Sequence, residues 1–139
     1  MTDRQGDPES SYPIPAFGEW LVSEAQSNPV REKSFDFALT ILGLCRTLQD
    51  AREYVVSKQL MRSGTSIGAN IEEAVAAESR KDFLHKMNLA LKEARESHYW
   101  LRLLDASALV PNLEVAAYLK RADELVRLLT AITRSVRNS

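Results

Sequence analysis

The sequence predicts an all-α protein, an antiparallel up-down-up-down four-helix bundle preceded by a partly irregular N-terminal arm. Apolar residues recur at alternating steps of four and three in four successive segments, which is the spacing of a helix seam. No segment follows the two-residue period of a strand. The links between segments are short, so consecutive helices must run antiparallel. With 139 residues and 45% hydrophobic content, the chain makes one domain that can bury a single core.

The arm covers residues 1–27. Pro8, Pro13 and Pro15, with Pro29 just beyond, interrupt any long element. Between them Ala16 to Gln26 can form a short helix, in which Phe17, Trp20, Leu21 and Glu24 share one edge. That edge can dock on the bundle, dock on a neighbouring subunit or meet a partner. Docking or disorder is the plainer reading for a terminus.

The bundle spans 28–139. Asn28-Pro29 closes the arm, and the first helix is read from Glu32 to about Gln49, with Ser34 or a neighbour near its start. Phe35, Ala38, Leu42 and Cys45 form one apolar line and Phe37, Ile41, Leu44 and Leu48 another, a face wide enough for more than one neighbour. After a break at Asp50–Glu53, the second helix is read from Tyr54 to Ala77. Its seam is Leu60, Gly64, Ile67, Ile71 and Ala74. Two glycines within five residues weaken a helix by about 1 kcal/mol each, so Gly64 and Gly68 are read as points of close helix contact. The third helix begins after Ser79, an N-cap with Asp82 three residues on, and runs to Ser107. Its seam is Phe83, Met87, Ala90, Ala94, Ser97, Leu101 and Leu104, large at the ends and small in the middle. Ala90 and Ala94 are expected to receive the glycine-bearing helix. A turn at Ala108–Asn112 leads to a fourth helix, Leu113 to Val136, with Val115, Tyr118, Ala122, Leu125, Leu129, Ile132 and Val136 as its seam.

Asn28-Pro29-Val30-Arg31-Glu32-Lys33-Ser34, Lys58-Gln59-Leu60 with the string Arg62–Ala74, Ser79-Arg80-Lys81-Asp82-Phe83, and Ala90-Leu91-Lys92-Glu93-Ala94-Arg95-Glu96-Ser97-His98-Tyr99-Trp100-Leu101 resemble the four-helix-bundle proteins encoded in intervening sequences of bacterial 23S ribosomal RNA genes. The match runs over residues 28–135, and the arm lies outside it. The resemblance implies assembly into a ring-like homopentamer. It extends to the accessory protein of diversity-generating retroelements, which binds a reverse transcriptase and nucleic acid. Those relatives are markedly basic, whereas this chain is near neutral.

Charge and composition narrow the function. The net charge is −1, with −3 over residues 1–31 and +2 over the rest, short of the dense basic character of proteins held by phosphate contacts. The sequence contains no run of about 18 apolar residues and no secretory signal, so a cytoplasmic protein without a membrane span is expected. Cys45, the single cysteine, is read as a small buried hydrophobe.

Asn70 with Ser63, Ser66 and Glu73 forms a polar stripe beside the second helix's seam, and a buried Asn there would fix register. Glu72, Glu73, Glu93 and Glu96 invite comparison with carboxylate metal sites, but those use Glu-x-x-His on two helices. Here Asp82 precedes His85 by three and Arg95 precedes His98, so no metal site is expected. Leu89, Glu93, Glu96, Trp100 and Leu103 form a flank beside the third seam. With Tyr99 it counts toward self-association, weighed against a Trp that simply closes the bundle end. Lys120, Arg121, Arg127, Arg134 and Arg137 give the fourth helix a local net charge of +3 over residues 120–137. They are the candidate nucleic-acid contacts, without interleaved aromatics for base stacking.

No nucleotide-binding loop, nucleophile elbow or Cys/His cluster occurs. The expected function is a non-enzymatic homo-oligomeric scaffold, with no cofactor and no small-molecule substrate, partnered by itself and by another protein. The alternative is a nucleic-acid-binding accessory protein that uses the basic strip, with weak binding at best.

Overall fold

The computed structural model describes residues 28–139. The arm, including the short helix expected at 16–26, lies outside the described residues. Four helices follow in order: α1 (Pro29–Asp50), α2 (Val55–Val75), α3 (Arg80–Ser107) and α4 (Ala116–Asn138). Each packs on its two neighbours, α2 on α3 most extensively and α4 on α1 least. Arg31 at the start of α1 meets Glu72 near the end of α2, and Cys45 near the end of α1 meets Ser57 near the start of α2, as antiparallel neighbours must. No helix among the described residues is long and apolar enough to cross a membrane.

The seams of α2, α3 and α4 are buried as the spacing requires, apart from Tyr118, which is half-buried. On α1 only one of the two expected lines is core. Phe37, Ile41, Leu44 and Leu48 are buried, and of the other line only Cys45 is. Phe35 is 64% exposed and Leu42 45%, with Leu39 beside them at 53%. Two neighbours are satisfied by the narrower face, so the surplus apolar surface points outward.

Helix boundaries depart from expectation where capping chemistry overrides pattern. α1 starts at Pro29, three residues earlier than expected. Asn28 is its cap, its side-chain oxygen accepting from Val30 N at 3.2 Å and Arg31 N at 3.4 Å. Proline belongs at the first helical position, where its missing N–H has no partner to lose. Ser34 is not a cap; it is buried in the second turn and donates to Arg31 O at 3.0 Å. The helix ends in a Schellman pattern, with Glu53 N donating to Leu48 O at 2.8 Å, Arg52 N to Gln49 O at 2.9 Å, and Arg52 left-handed at φ 63°. The Ser79 cap forms, accepting from Asp82 N at 3.0 Å. α4 begins three residues later than expected, because Asn112 takes φ 64° and Leu113 closes a further turn onto Val110 O.

The glycines do not receive α3. A Cβ on Gly64 would lie 2.9 Å from Ile41 Cγ2, and one on Gly68 would lie 3.6 Å from the Ser34 carbonyl oxygen. Both therefore face α1. The close approach of α2 to α3 is made instead by Ser63 and Ser97, both fully buried, whose hydroxyls meet at 2.9 Å.

Candidate functional site

The polar groups of α2 divide according to which neighbour they reach. Ser63 lies inside, accepting from Ser97 and donating to Leu60 O at 3.4 Å. Ser66 is half-buried, and its carbonyl accepts from Asn70 Nδ2 at 2.9 Å. Asn70 is itself only half-buried and turns its amide back onto its own helix, so the buried polar link from α2 to α3 is made by the serine pair. Glu73 is exposed and accepts from Lys86 Nζ at 2.8 Å. That pairing pushes the Lys86 ammonium up from its ordinary value.

One residue before Ser63 on α2, Arg62 gathers the α3 flank. Its Nη1 donates to Glu93 Oε2 at 2.9 Å and its Nη2 to Glu96 Oε2. Glu96 Oε2 also accepts the indole N–H of Trp100 at 3.0 Å. The Tyr99 and Trp100 rings meet edge to face, 5.3 Å between centroids and 67° between planes. The Trp100 hydrogen bond, and after it the Arg62 guanidinium, hold the Glu96 carboxyl below its usual range; Arg62 is raised in turn, first by Glu96 and then by Glu93. A carboxylate stabilised in this way resists protonation.

The cluster therefore serves for fixing shape. Both carboxylates are engaged, and Trp100 is partly buried, its indole bonded to Glu96 and its ring packed against the core. Tyr99 stands 49% exposed and Leu103 37%, while Leu89 is half-buried. The result is an apolar edge on a charge-paired base. Among the described residues, no group of three His, Cys, Asp or Glu side chains is placed to hold a metal ion.

On α4, Lys120, Arg121, Arg127, Arg134 and Arg137 are all exposed. Arg127 pairs within its own helix, Nε to Asp123 Oδ2 at 3.0 Å.

Sequence pattern does not point to Arg62 as the organiser of the flank, because its partners lie 31 and 34 residues away. Nor does it reveal the open groove between α1 and α2. That groove has a volume of about 940 Å³ and is bordered by Arg31, Phe35, Ala38, Thr65, Gly68 and Glu72, among others. Arg31 and Glu72 bridge it with a bidentate pair at 2.7 and 2.9 Å.

The family model of the 23S rRNA-intervening sequence proteins matches residues 26–131. Among solved structures, a protein of unknown function from the S23 ribosomal protein family of Bacteroides thetaiotaomicron is 44% identical and superposes with a TM-score of 0.73, over 77% of this chain and 96% of that one. No curated protein matches the chain.

Proposed function

The chain belongs to the 23S rRNA-intervening sequence protein family, and from that premise we propose that it is a non-enzymatic, cytoplasmic assembly module that self-associates through the α3 flank into a ring-like homopentamer and scaffolds a protein partner. The observation that carries this reading is the edge formed by Tyr99, Trp100 and Leu103. Tyr99 and Leu103 are exposed outside the core, and Trp100, which packs partly against it, is tied to the Arg62–Glu93–Glu96 cluster. Pre-organised aromatic surface lowers the ordering cost of association. A non-enzymatic role fits the same cluster, since the carboxylates are engaged by Arg62 and Trp100. Light scattering on the full chain at micromolar concentration tests it, a mass several times 15.6 kDa being expected. The mass of one chain would overturn it.

A second reading, weak nucleic-acid contact, is favoured by the five exposed cations of α4. In a ring that face is repeated, and repetition raises avidity when one strand reaches several subunits.

A further inference from the structure

A closed ring of identical chains uses two different surfaces of each copy, one giving and one receiving. The α3 edge is one such surface, and α1 carries another. Phe35, Leu39 and Leu42 stand exposed on the outside of α1, at steps of four and three that keep them on one side of the helix. Phe35 and Ala38 line the α1–α2 groove together with Thr65 and Gly68, so this stripe lies on the α2 side of α1. The α3 edge lies on the α2 side of α3, where Arg62 reaches Glu93 and Glu96. Two faces that both adjoin α2 are on adjacent sides of the bundle. Adjacent faces turn each added copy toward closure, whereas opposite faces would extend a filament.

Charge selects which surface receives which. Lys92, Arg95 and Arg102 are exposed on the face of α3 that holds Tyr99, seven and four residues before it and three after, and none has an ion pair among the described residues. Around the α1 stripe stand Glu32, Asp36 and Asp50, with Arg46 as the cation among them. Two α3 edges would set cations together and two α1 stripes carboxylates, while one of each brings opposite signs together. Height along the bundle supplies the register. Cys45 is level with Ser57, which lies six residues before Ser63. Ser63 is level with Ser97, which lies six residues before Leu103. Cys45 and Leu103 therefore share a height, on helices that run in the same direction. Rotation about an axis along the bundle keeps heights unchanged, so Leu42 of one copy meets Tyr99 of the next to within one residue, about 1.5 Å, and Asp36 meets Arg95 equally closely.

We infer that the α3 edge of one copy docks on the α1 stripe of the next, parallel and in this register, with Tyr99 on Leu42 and Arg95 beside Asp36. This contact rests on the self-association proposed above and supplies its receiving face. Gly43 and Arg102 mark the rim of the contact, each seven residues beyond Asp36 and Arg95 respectively. Both are exposed, Gly43 with open space where a side chain would stand.

A full chain carrying Gly43→Cys and Arg102→Cys, oxidised with copper phenanthroline, tests this. A ladder of cross-linked multimers extending beyond the dimer is expected, since α1 and α3 are diagonal within one bundle and the two thiols meet only between copies. Either substitution alone should leave single chains, because the native Cys45 is buried. Dimers from Arg102→Cys alone, or from Gly43→Cys alone, would show like faces paired and overturn the inference. No ladder from a chain that scatters as a multimer would also overturn it, giving the α1 stripe to another occupant while self-association stands. The scattering mass of one chain would remove both together.

Discussion

Ser97 donates its hydroxyl to Ser63 at 2.9 Å across the fully buried contact of α2 with α3, and Ser63 donates its own hydrogen bond to Leu60 O. The chain of bonds has a direction, so its two members are not equivalent. Ser63→Ala leaves a buried donor on Ser97 without its acceptor and should cost about 1–3 kcal/mol, whereas Ser97→Ala removes a donor only and should cost about 0.5–1.5 kcal/mol. The double substitution is expected to cost less than the sum of the two. Urea denaturation of the three variants measures this, and equal single effects that add would contradict the directed pair.

The two glycines of α2 should respond oppositely. Gly64→Ala drives a methyl to 2.9 Å from Ile41 Cγ2 and should destabilise by about 1–3 kcal/mol through overpacking. Ile41→Ala alone should cost about 2–5 kcal/mol, since Ile41 is fully buried, and the double variant should lose less than the sum of the two, because the clashing atoms are gone. Gly68→Ala meets Ser34 only at ordinary contact distance, and should stabilise by about 0.4–1 kcal/mol by restricting the unfolded chain. Melting curves that rank the two alike would show that neither glycine is set by its neighbour.

Glu96 gives the acid limb of the stability profile a definite sign. Its folded pKa is depressed, by Trp100 first and Arg62 second. Its contribution is therefore present above the unfolded value, about 4.3 for Glu, and is lost as pH falls through the folded value. Below about pH 4.3 wild type should lose stability more steeply than Glu96→Gln. The side chain is 34% exposed, so screening keeps the difference small. Denaturant midpoints from pH 6 to pH 3 provide the comparison, and parallel curves would remove Glu96 from the acid response.

Charge placed on the α3 edge should dissociate the proposed assembly. Tyr99→Glu and Leu103→Glu both lie at exposed positions, so the helical circular-dichroism signal and monomer fold should persist while the scattering mass falls toward 15.6 kDa. An unchanged multimer in both variants would move the interface elsewhere.

Nucleic acid should bind weakly, without sequence preference, and release as salt rises, since the contacts available are phosphate contacts. Titration of labelled RNA and DNA at low and near-physiological salt, with the full chain and with a chain starting at Asn28, reads this. Lys120→Gln with Arg127→Gln should lower the affinity and the salt slope together. Tight binding that resists salt would displace the scaffold reading in favour of the nucleic-acid one.

Much of this fold was legible along one dimension. A seam repeats within a single helix, so Phe83 to Leu104 or Val115 to Val136 declares which side is core before any partner is known. The Ser79 cap was equally readable, because its acceptor lies three residues away. Pro29 was misleading in the same local range: it reads as a breaker, yet sits at the one helical position that suits it, and Asn28 rather than Ser34 caps the helix.

What the sequence could not decide were relations between helices. The spacing of Gly64 and Gly68 announces close contact but not its partner, and only the placement of α1 assigned them to Ile41 and Ser34 rather than to Ala90 and Ala94. Arg62, Glu93 and Glu96 are three unremarkable charges until antiparallel packing brings residues 31 and 34 apart in sequence within 3 Å or less. The wide apolar face of α1 was visible as composition, but how much of it the bundle needs is a question of area and crossing geometry. A helical period fixes direction around one axis; which surface that direction meets is set by the other three axes.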